Sequence, residues 1–298
     1  MNISKNIKYF FILPVMAIVL SLAALGAWGL KPGIDLAGGS LLQVSYSGER
    51  PTVETLRATV STLGFGEVRV QPTGEAGFLL RQRDLTNDEK ISLEKALGTL
   101  GTMHEDQYNS VGPIIGAELL QKAWIAIALV TLSTVLFIAF AFRRVSKPIS
   151  SWKYGVVAII TLMHDILIPT GLFALLGHFV GAEVDALFIV ALLTILGISI
   201  NDTIVIFDRI RENLALNAEQ HKREEFDEVV GRSITQTIAR SINTSLTVII
   251  VLLALYFLGP DSTRAFALTL IVGMVAGTYS SIFLASPLLV VWEKFRRK

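Results

Sequence analysis

Residues 186–207 read ALFIVALLTILGISINDTIVIF, and the carboxylate of Asp202 stands there among side chains that are almost all apolar or small. A helix of about 20 apolar residues is long enough to cross the hydrocarbon core of a bilayer. An ionisable side chain in such a helix costs roughly 3 kcal/mol on insertion scales, and it usually marks a pathway, a relay or a buried partner. The same acid in the core of a soluble protein would be less informative. The first question is therefore whether this segment lies in a membrane.

The composition of the chain indicates an integral membrane protein. It has 298 residues, of which 52% are hydrophobic and 17% are charged, whereas about a quarter of the residues of a soluble domain are charged. The charged residues also lie in blocks between long apolar runs. A net charge of +1 gives no support for a nucleic-acid partner. The absence of cysteine excludes disulfides, thiolate metal sites and a cysteine nucleophile.

Six apolar runs are long enough to span a bilayer. They cover residues 7–30, 119–142, 154–180, 184–207, 234–258 and 265–292. The first run follows Lys5 and Lys8, as in a signal peptide. Its apolar core is longer than that of a signal peptide, and no clean small-x-small cleavage site follows it. We therefore expect six membrane helices, with the first one retained.

Lysine and arginine residues predict the orientation of these helices, because short loops rich in them stay in the cytoplasm. The basic residues before the first run, between the second and third, between the fourth and fifth, and after the sixth all fall on one side. They are Lys5, Lys8, Arg143, Arg144, Lys147, Lys153, Arg209, Arg211, Lys222, Arg223, Arg232, Lys294, Arg296, Arg297 and Lys298. Both termini are therefore expected in the cytoplasm, and the long loop 31–118 outside it.

The long loop has the pattern of a small folded domain without a catalytic constellation. Strand-like patterns occupy residues 40–46, 66–72, 76–83 and 103–110, and helical patterns occupy 51–64 and 85–101. Thr86 and Glu89 have the spacing of a capping box at the start of the second helix. The order β-α-β-β-α-β predicts a ferredoxin-like α+β fold. The segment GIDLAGGS (33–40) lacks the lysine and the following helix of a phosphate loop, so we interpret it as a tight turn into the first strand.

Asp202 is the first candidate for chemistry. Burial disfavours the ionised form of an acid and a nearby cation favours it, so a buried acid beside a movable cation can bind and release protons. The alternatives are a static buried ion pair and a carboxylate that reaches the cytoplasmic boundary. Because Asn201 and Thr203 flank Asp202, sodium ligation also remains open.

Arg240, near the cytoplasmic start of the fifth run, is the natural partner of Asp202, since the basic loop places both at a similar depth. An arginine stays charged at any relevant pH, so it would hold a nearby acid ionised or release it when the helices shift. The alternative is an arginine that reaches the cytoplasmic headgroups. The polar residues around this pair, which we expect to form a seam, are Asn201, Gln236, Thr237, Asn243, Thr244 and Ser245.

Asp165 follows His164 and precedes Pro169 in the third run. Two ionisable groups and a proline in one span predict a water-accessible polar interior, with Asp165 as a further proton-handling residue. The alternative is a structural hydrogen-bonding pair between helices. The four histidines are scattered, without the spacing of metal ligands, so we expect neither a metal nor a cofactor.

Two further segments carry structural predictions. GMVAG (273–277) is a GxxxG match that permits tight packing against another helix, without indicating which one. DRIREN (208–213) and the acidic and basic residues that follow it, up to 233, predict a solvated amphipathic helix at the cytoplasmic face.

Taken together, several motifs of the chain resemble SecF proteins of the SecD/SecF family, which assist bacterial protein export. The motifs are GIDLAGG (33–39), VGPIIGAEL (111–119), HD (164–165), NDTIVIFDRIREN (201–213), TQTIAR (235–240) and INTS (242–245). SecD carries a segment similar to GIDLAGG, but the modest outer domain and the length of this chain favour SecF. Leu36 departs from the pattern, since an aromatic residue often stands there in the family, and this bears on the packing of the turn.

The resemblance implies half of a resistance-nodulation-division transporter, in which SecD supplies a second six-helix half. It also implies that the proton motive force drives outer-domain movements that pull preproteins from the SecYEG channel. Asp202 and Arg240 match the coupling residues of the family, and Asp165 matches a recurrent acid. The implied partners are SecD, SecYEG, YajC, YidC, a preprotein and membrane lipids, in the bacterial inner membrane. The expected division is a first helix at 1–32, an outer domain at 33–116 and a five-helix bundle at 117–298.

Two other functions compete with this one. A small-molecule efflux half-transporter of the same superfamily would need a larger outer domain with a substrate tunnel. A structural membrane scaffold would keep Asp202 and Arg240 as a static pair. An enzyme is disfavoured, because the sequence contains no nucleophile and base in a plausible site and no nucleotide motif.

Overall fold

The computed structural model describes residues 3–141 and 150–297. The chain divides into two compact units. We call Pro32–Trp124 the ferredoxin-like unit, and Met1–Lys31 with Ile125–Lys298 the membrane unit. Each unit is described by itself.

The ferredoxin-like unit confirms the predicted order of strands and helices. Its elements are α2 (Ile34–Ala37), β1 (Gly39–Tyr46), α3 (Val53–Ser61), β2 (Arg69–Thr73), β3 (Gly77–Gln82), α4 (Asn87–Gly98) and β4 (Met103–Val111). The sheet order is β2-β3-β1-β4, and all three strand pairs are antiparallel. In this order β1 and β2 lie on either side of β3, and β3 and β4 lie on either side of β1. This interleaving of two strand–helix–strand segments is the ferredoxin-like arrangement. Alternate residues of β1 and β3, including Leu42, Val44 and Leu80, are buried against Leu93 and Leu97 of α4.

The glycines of GIDLAGG lie where the chain comes close to the start of the next membrane helix. Residues 34–37 form one helical turn, which adds to the predicted turn, and Gly38 and Gly39 follow with positive φ. A Cβ atom on Gly38 would lie 2.6 Å from the Cα atom of Pro113, and one on Gly116 would lie 2.9 Å from the Gly38 nitrogen. Real Cβ atoms do not approach backbone so closely, so this contact requires glycine.

The start of α4 contains the predicted capping box. The Thr86 hydroxyl accepts a hydrogen bond from the Glu89 amide at 3.4 Å, and Glu89 accepts one from the Thr86 amide at 2.9 Å. Arg83 also donates to Glu89 at 2.5 Å. The Arg83 hydrogen bond, together with the Thr86 amide, lowers the pKa of Glu89 to about 2.

We expect Glu89→Gln to lower the melting temperature of a fragment spanning 32–124 at neutral pH. Because the folded-state pKa of Glu89 is lowered, its stabilising effect is complete above its ordinary pKa and is lost as the pH falls through about 2. The difference in melting temperature between wild type and variant should therefore shrink as the pH falls from 4.5 to about 2. Thermal unfolding by circular dichroism measures it, and a difference that persists unchanged at the acid end would contradict the prediction.

The membrane unit confirms six membrane-crossing helices. In the described parts of the chain, six helices are long and apolar enough to span a bilayer. They are α1 (Ile3–Trp28), α5 (Pro113–Ala141), α6 (Ser151–Val180), α7 (Ala186–Glu219), α8 (Phe226–Leu258) and a last span built of α9 (Asp261–Ser280), a π-helical turn (Ser281–Ala285) and α10 (Ser286–Arg297).

The prediction of a separate amphipathic helix within 208–233 is wrong. The segment instead forms the end of α7 and the beginning of α8, joined by a turn in which His221 has φ +49°. The physical reason is that the two helices remain paired beyond their apolar parts. Asn213 donates to Ser233 at 2.8 Å, and Asn217 donates to Glu224 at 2.8 Å.

The GMVAG segment packs against α7. A Cβ atom on Gly273 would overlap the Ile195 side chain, and one on Gly277 would lie 3.1 Å from the Ser199 side chain. The close approach predicted for this segment therefore has an identified partner helix. It also places α9 directly beside the part of α7 that contains Asp202.

Several basic residues used to predict the orientation, Arg143, Arg144 and Lys147, lie outside the described residues. The side chains of Lys5, Lys8, Arg296, Arg297 and Lys298 likewise lie outside the described part of the structure. The orientation of the chain therefore stays a prediction.

Candidate functional site

Asp202 is buried in the middle of α7, with 7% of its surface exposed. Ser245 of α8 lies beside it, and Arg240 acts on it electrostatically. A small cavity of about 10 Å³ adjoins its carboxylate. The cavity is lined by Ile195, Ile198, Ser199, Asp202, Ser245, Gly273, Met274, Gly277 and Thr278.

The register of α7 and α8 sets the distance between Asp202 and Arg240. Asn213 pairs with Ser233 and Asp202 pairs with Ser245, so the two helices run antiparallel. Arg240 then lies level with residues 206–207 of α7, which is about 7 Å along the helix axis from Asp202 at 1.5 Å per residue. The long arginine side chain covers such a distance, so its guanidinium can approach or leave the acid without a change of register.

Arg240 belongs to an exposed polar face of α8. Gln236, Arg240, Asn243 and Thr247 are all exposed, and their spacing places them on one side of a helix. Such side chains within a membrane span normally face a protein interior or a water-filled cavity. This face therefore requires a cover that the membrane unit does not itself provide.

Three of the residues predicted for the seam, Asn201, Asn243 and Thr237, separate into two groups. Asn201 and Asn243 are exposed, as expected for residues that face a partner or water. Thr237 is buried, and its hydroxyl donates to the carbonyl of Ser233 at 3.0 Å. Thr237 thus bonds within its own helix.

Asp165 is fully buried and joins three helical elements. Its Oδ1 lies 2.8 Å from Nδ1 of His164, and its Oδ2 accepts hydrogen bonds from Ser280 at 2.9 Å and from Ser199. Ser280 immediately precedes the π-helical turn Ser281–Ala285. Such π turns occur frequently at functional sites.

Sequence reasoning missed the hydroxyl partners of Asp165 and the polar contacts at the end of the α7–α8 pair. Ser199 and Ser280 stand 34 and 115 residues from Asp165, so no local pattern reveals them. Asn213 also donates to Gln236 at 2.9 Å. The only local signal was the four-residue spacing of Asn213 and Asn217, which places both on one face of α7.

No group of three or more histidine, aspartate or glutamate side chains is placed to hold a metal ion within residues 3–141 and 150–297. The acids of the site instead contact hydroxyl groups, a histidine and an arginine. This donor set suits the movement of protons between oxygen and nitrogen atoms.

Comparison with known proteins identifies the family. Residues 24–49 match the SecD/SecF GG motif, and residues 92–295 match the C-terminal region of the protein export membrane proteins SecD and SecF. The chain belongs to the SecD/SecF family. The resemblance stated from the motifs is thereby confirmed, and this family member is a multi-pass membrane protein.

Two relatives that match this chain over nearly the whole length of both proteins are SecF proteins. The chain is 43% identical to the protein translocase subunit SecF of Thermobaculum terrenum, over 95% of this chain and 91% of that one. It is 37% identical to SecF of Anaerolinea thermophila, over 98% and 94% of the two chains. A SecDF protein of Thermus thermophilus is 37% identical, but the match covers 38% of its length.

A crystal structure of SecDF from Thermus thermophilus has the same fold. It superimposes with a TM-score of 0.84 at 33% identity, over 99% of this chain and 39% of that chain. A second SecDF structure, described as a super-membrane-facing form, gives a TM-score of 0.70. This SecD/SecF family member therefore spans about two fifths of the SecDF chains to which it is similar.

Proposed function

We propose that this chain is the SecF subunit of a SecDF complex that uses the proton motive force to assist preprotein translocation through SecYEG. The step is a late one, at which the extracytoplasmic domain pulls on the preprotein. The observation that carries the proposal is the buried Asp202, which contacts Ser245 and lies within the field of Arg240 on an open polar face. Family membership supports the translocase role.

The proposed mechanism depends on the charge of Asp202. When Asp202 is ionised, it attracts the guanidinium of Arg240, and when it is protonated this attraction is lost. Arg240 lies on an exposed face, so its side chain has room to move between Asp202 and the covering partner. One charge that crosses the membrane yields about 2.3 kcal/mol per 100 mV. That free energy is enough to shift the populations of two conformations whose stabilities differ by a few kcal/mol.

SecD is the proposed cover for the polar face. Its six-helix half would place a further acid against Arg240, because one chain with one exposed arginine does not complete a transmembrane path. SecYEG, YajC and YidC are proposed as further partners, and the preprotein as substrate. The proposed location is the bacterial inner membrane, with both termini in the cytoplasm and domains at 1–32, 33–116 and 117–298.

Two competing functions are disfavoured on physical grounds. Efflux requires a tunnel through large outer domains, and the ferredoxin-like unit is one four-stranded sheet packed on α3 and α4 with a filled core. A scaffold requires a static ion pair, and Arg240 is exposed rather than locked against Asp202. No enzymatic step is proposed, and the relatives are named as translocase subunits.

We expect Arg240→Gln to reduce preprotein secretion about tenfold. A change of this size corresponds to a free energy within the roughly 1–3 kcal/mol that is typical of coupling between two sites. The neutral side chain keeps hydrogen-bonding capacity but removes the cation that responds to Asp202. Arg240→Lys keeps the charge and should retain part of the activity. Pulse-chase measurement of preprotein maturation in cells that lack the native copy gives the secretion rate.

Arg209→Gln is the matched control, because Arg209 lies on α7, is partly exposed and pairs with Glu212 at 2.9 Å. It should secrete as wild type. Normal secretion by Arg240→Gln would support a scaffold. Normal secretion combined with increased drug susceptibility would support efflux.

A further inference from the structure

Ser199 lies between two buried acids of the membrane unit, Asp202 and Asp165. It is one turn before Asp202 on α7, and 4% of its surface is exposed. Its hydroxyl donates to Oδ2 of Asp165 on α6. The same residue lines the cavity that adjoins Asp202, so a single side chain contacts one acid and faces the space beside the other.

The cavity has the size and the lining of a water site. Its volume of about 10 Å³ is close to the minimum that one water molecule needs, and a buried water also needs two to four polar partners. Four of the residues that line it, Asp202, Ser199, Ser245 and Thr278, have oxygen-bearing side chains. Thr278 donates to Ser245 at 2.6 Å, which leaves lone pairs on both hydroxyl oxygens for further hydrogen bonds.

We propose that one water molecule in this cavity and the hydroxyl of Ser199 form a proton relay between Asp202 and Asp165, a step that rests on the proposed proton coupling. An O–H bond of protonated Asp202 breaks as a new one forms on the water. The water passes one of its hydrogens to Ser199, whose own hydroxyl hydrogen moves to Oδ2 of Asp165. Asp202 ends ionised and Asp165 ends neutral, with one proton moved and no oxidant or reductant involved.

The surroundings of the relay connect it to the last membrane span. Arg240 from α8 acts on Asp202, and His164 from α6 contacts Asp165. Thr278 and Ser280 of α9 present hydroxyls only. A proton on Oδ2 competes there with the Ser280 hydroxyl, and Ser280 leads into the π-helical turn of the last span.

Gly277 maintains the short path from Ser199 to Asp165. A Cβ atom on Gly277 would lie 3.1 Å from both Cβ and Oγ of Ser199 and 3.6 Å from Oδ2 of Asp165. A side chain there would push Ser199 away from the acid. The GxxxG segment thus positions the relay as well as the helices.

The test compares Ser199→Ala with wild type in the complete complex with SecD, reconstituted in lipid vesicles. Infrared difference spectra after a pH jump report protonation of individual carboxyl groups, and Asp202→Asn and Asp165→Asn assign the two bands. Wild type should show both bands changing. Ser199→Ala should keep the Asp202 band, lose the Asp165 change and reduce the proton current about tenfold.

Thr269→Val is the matched control, because Thr269 is fully buried on α9 and its hydroxyl donates to the Ala265 carbonyl of its own helix at 2.7 Å. It should behave as wild type. A Ser199→Ala protein with both bands and a wild-type current would overturn the relay while leaving coupling by Asp202 intact. A wild-type protein without an Asp202 band would instead contradict the proposed function. Should Ser199→Ala fail to assemble, Asp165→Asn decides the question, since an undiminished current in that variant also overturns the relay.

Discussion

Asp202→Asn is expected to abolish proton-driven secretion while the complex still assembles. Asparagine has nearly the same shape as aspartate and can still accept a hydrogen bond, but it cannot take up a proton. The cation of Arg240 then meets a neutral side chain in every state of the cycle. Secretion and proton current should both fall at least a hundredfold, close to background. A loss of this size corresponds to about 3 kcal/mol, the upper end of typical coupling free energies.

Asp208→Asn provides the control for Asp202→Asn. Asp208 stands on the same helix, its side chain is 55% exposed and it pairs with Arg211 at 2.8 Å. An exposed ion pair of this kind contributes about 1 kcal/mol or less, so the control should secrete normally. Persistence of secretion and current in Asp202→Asn would make that acid structural. The proton path would then run through Asp165 or through the partner chain.

Gly38→Ala is expected to have the largest effect on stability. Gly38 has φ +78° and ψ 159°, a conformation that costs other residues roughly 1–3 kcal/mol. The added methyl group would also meet the backbone of Pro113, and overpacking of this kind costs about 1–3 kcal/mol more. The melting temperature of the ferredoxin-like unit should fall by at least about 10 °C, at 4–8 °C per kcal/mol for a domain of this size.

Gly64→Ala separates the two causes of this loss. Gly64 also has a positive φ, but nothing lies within 4 Å of its added Cβ atom. It should therefore lose less stability than Gly38→Ala. Equal losses in the two variants would show that the contact between Gly38 and Pro113 contributes nothing.

The parts of the structure that depend on local pattern were predictable from the sequence. The six spans follow from runs of apolar residues, and the ferredoxin-like order follows from alternation, capping and turn residues. Thr86 and Glu89 illustrate this, because both hydrogen bonds of the capping box join residues three apart. Asp202 stood out because a charge in an apolar helix is costly wherever the helix packs.

The parts that depend on long-range packing were not predictable. Nothing near Ser280 in the sequence indicates a bond to Asp165, and nothing near Pro113 indicates a contact with Gly38. The amphipathic helix was wrongly predicted for a related reason. The charged residues are largely exposed, as the pattern indicated, but the segment is divided between α7 and α8, which Asn213 and Asn217 join to Ser233 and Arg232.

The central proposal is that protons flowing through this chain and its SecD partner drive the last step of preprotein translocation. The most direct measurement imposes an ion gradient across vesicles that contain SecYEG, the SecD partner and this chain, with a preprotein arrested part-way and ATP removed. The proposed mechanism predicts that a proton gradient alone releases the preprotein into the vesicle and that an equal sodium gradient does not. Release driven by sodium alone, or no release with either ion, would contradict it.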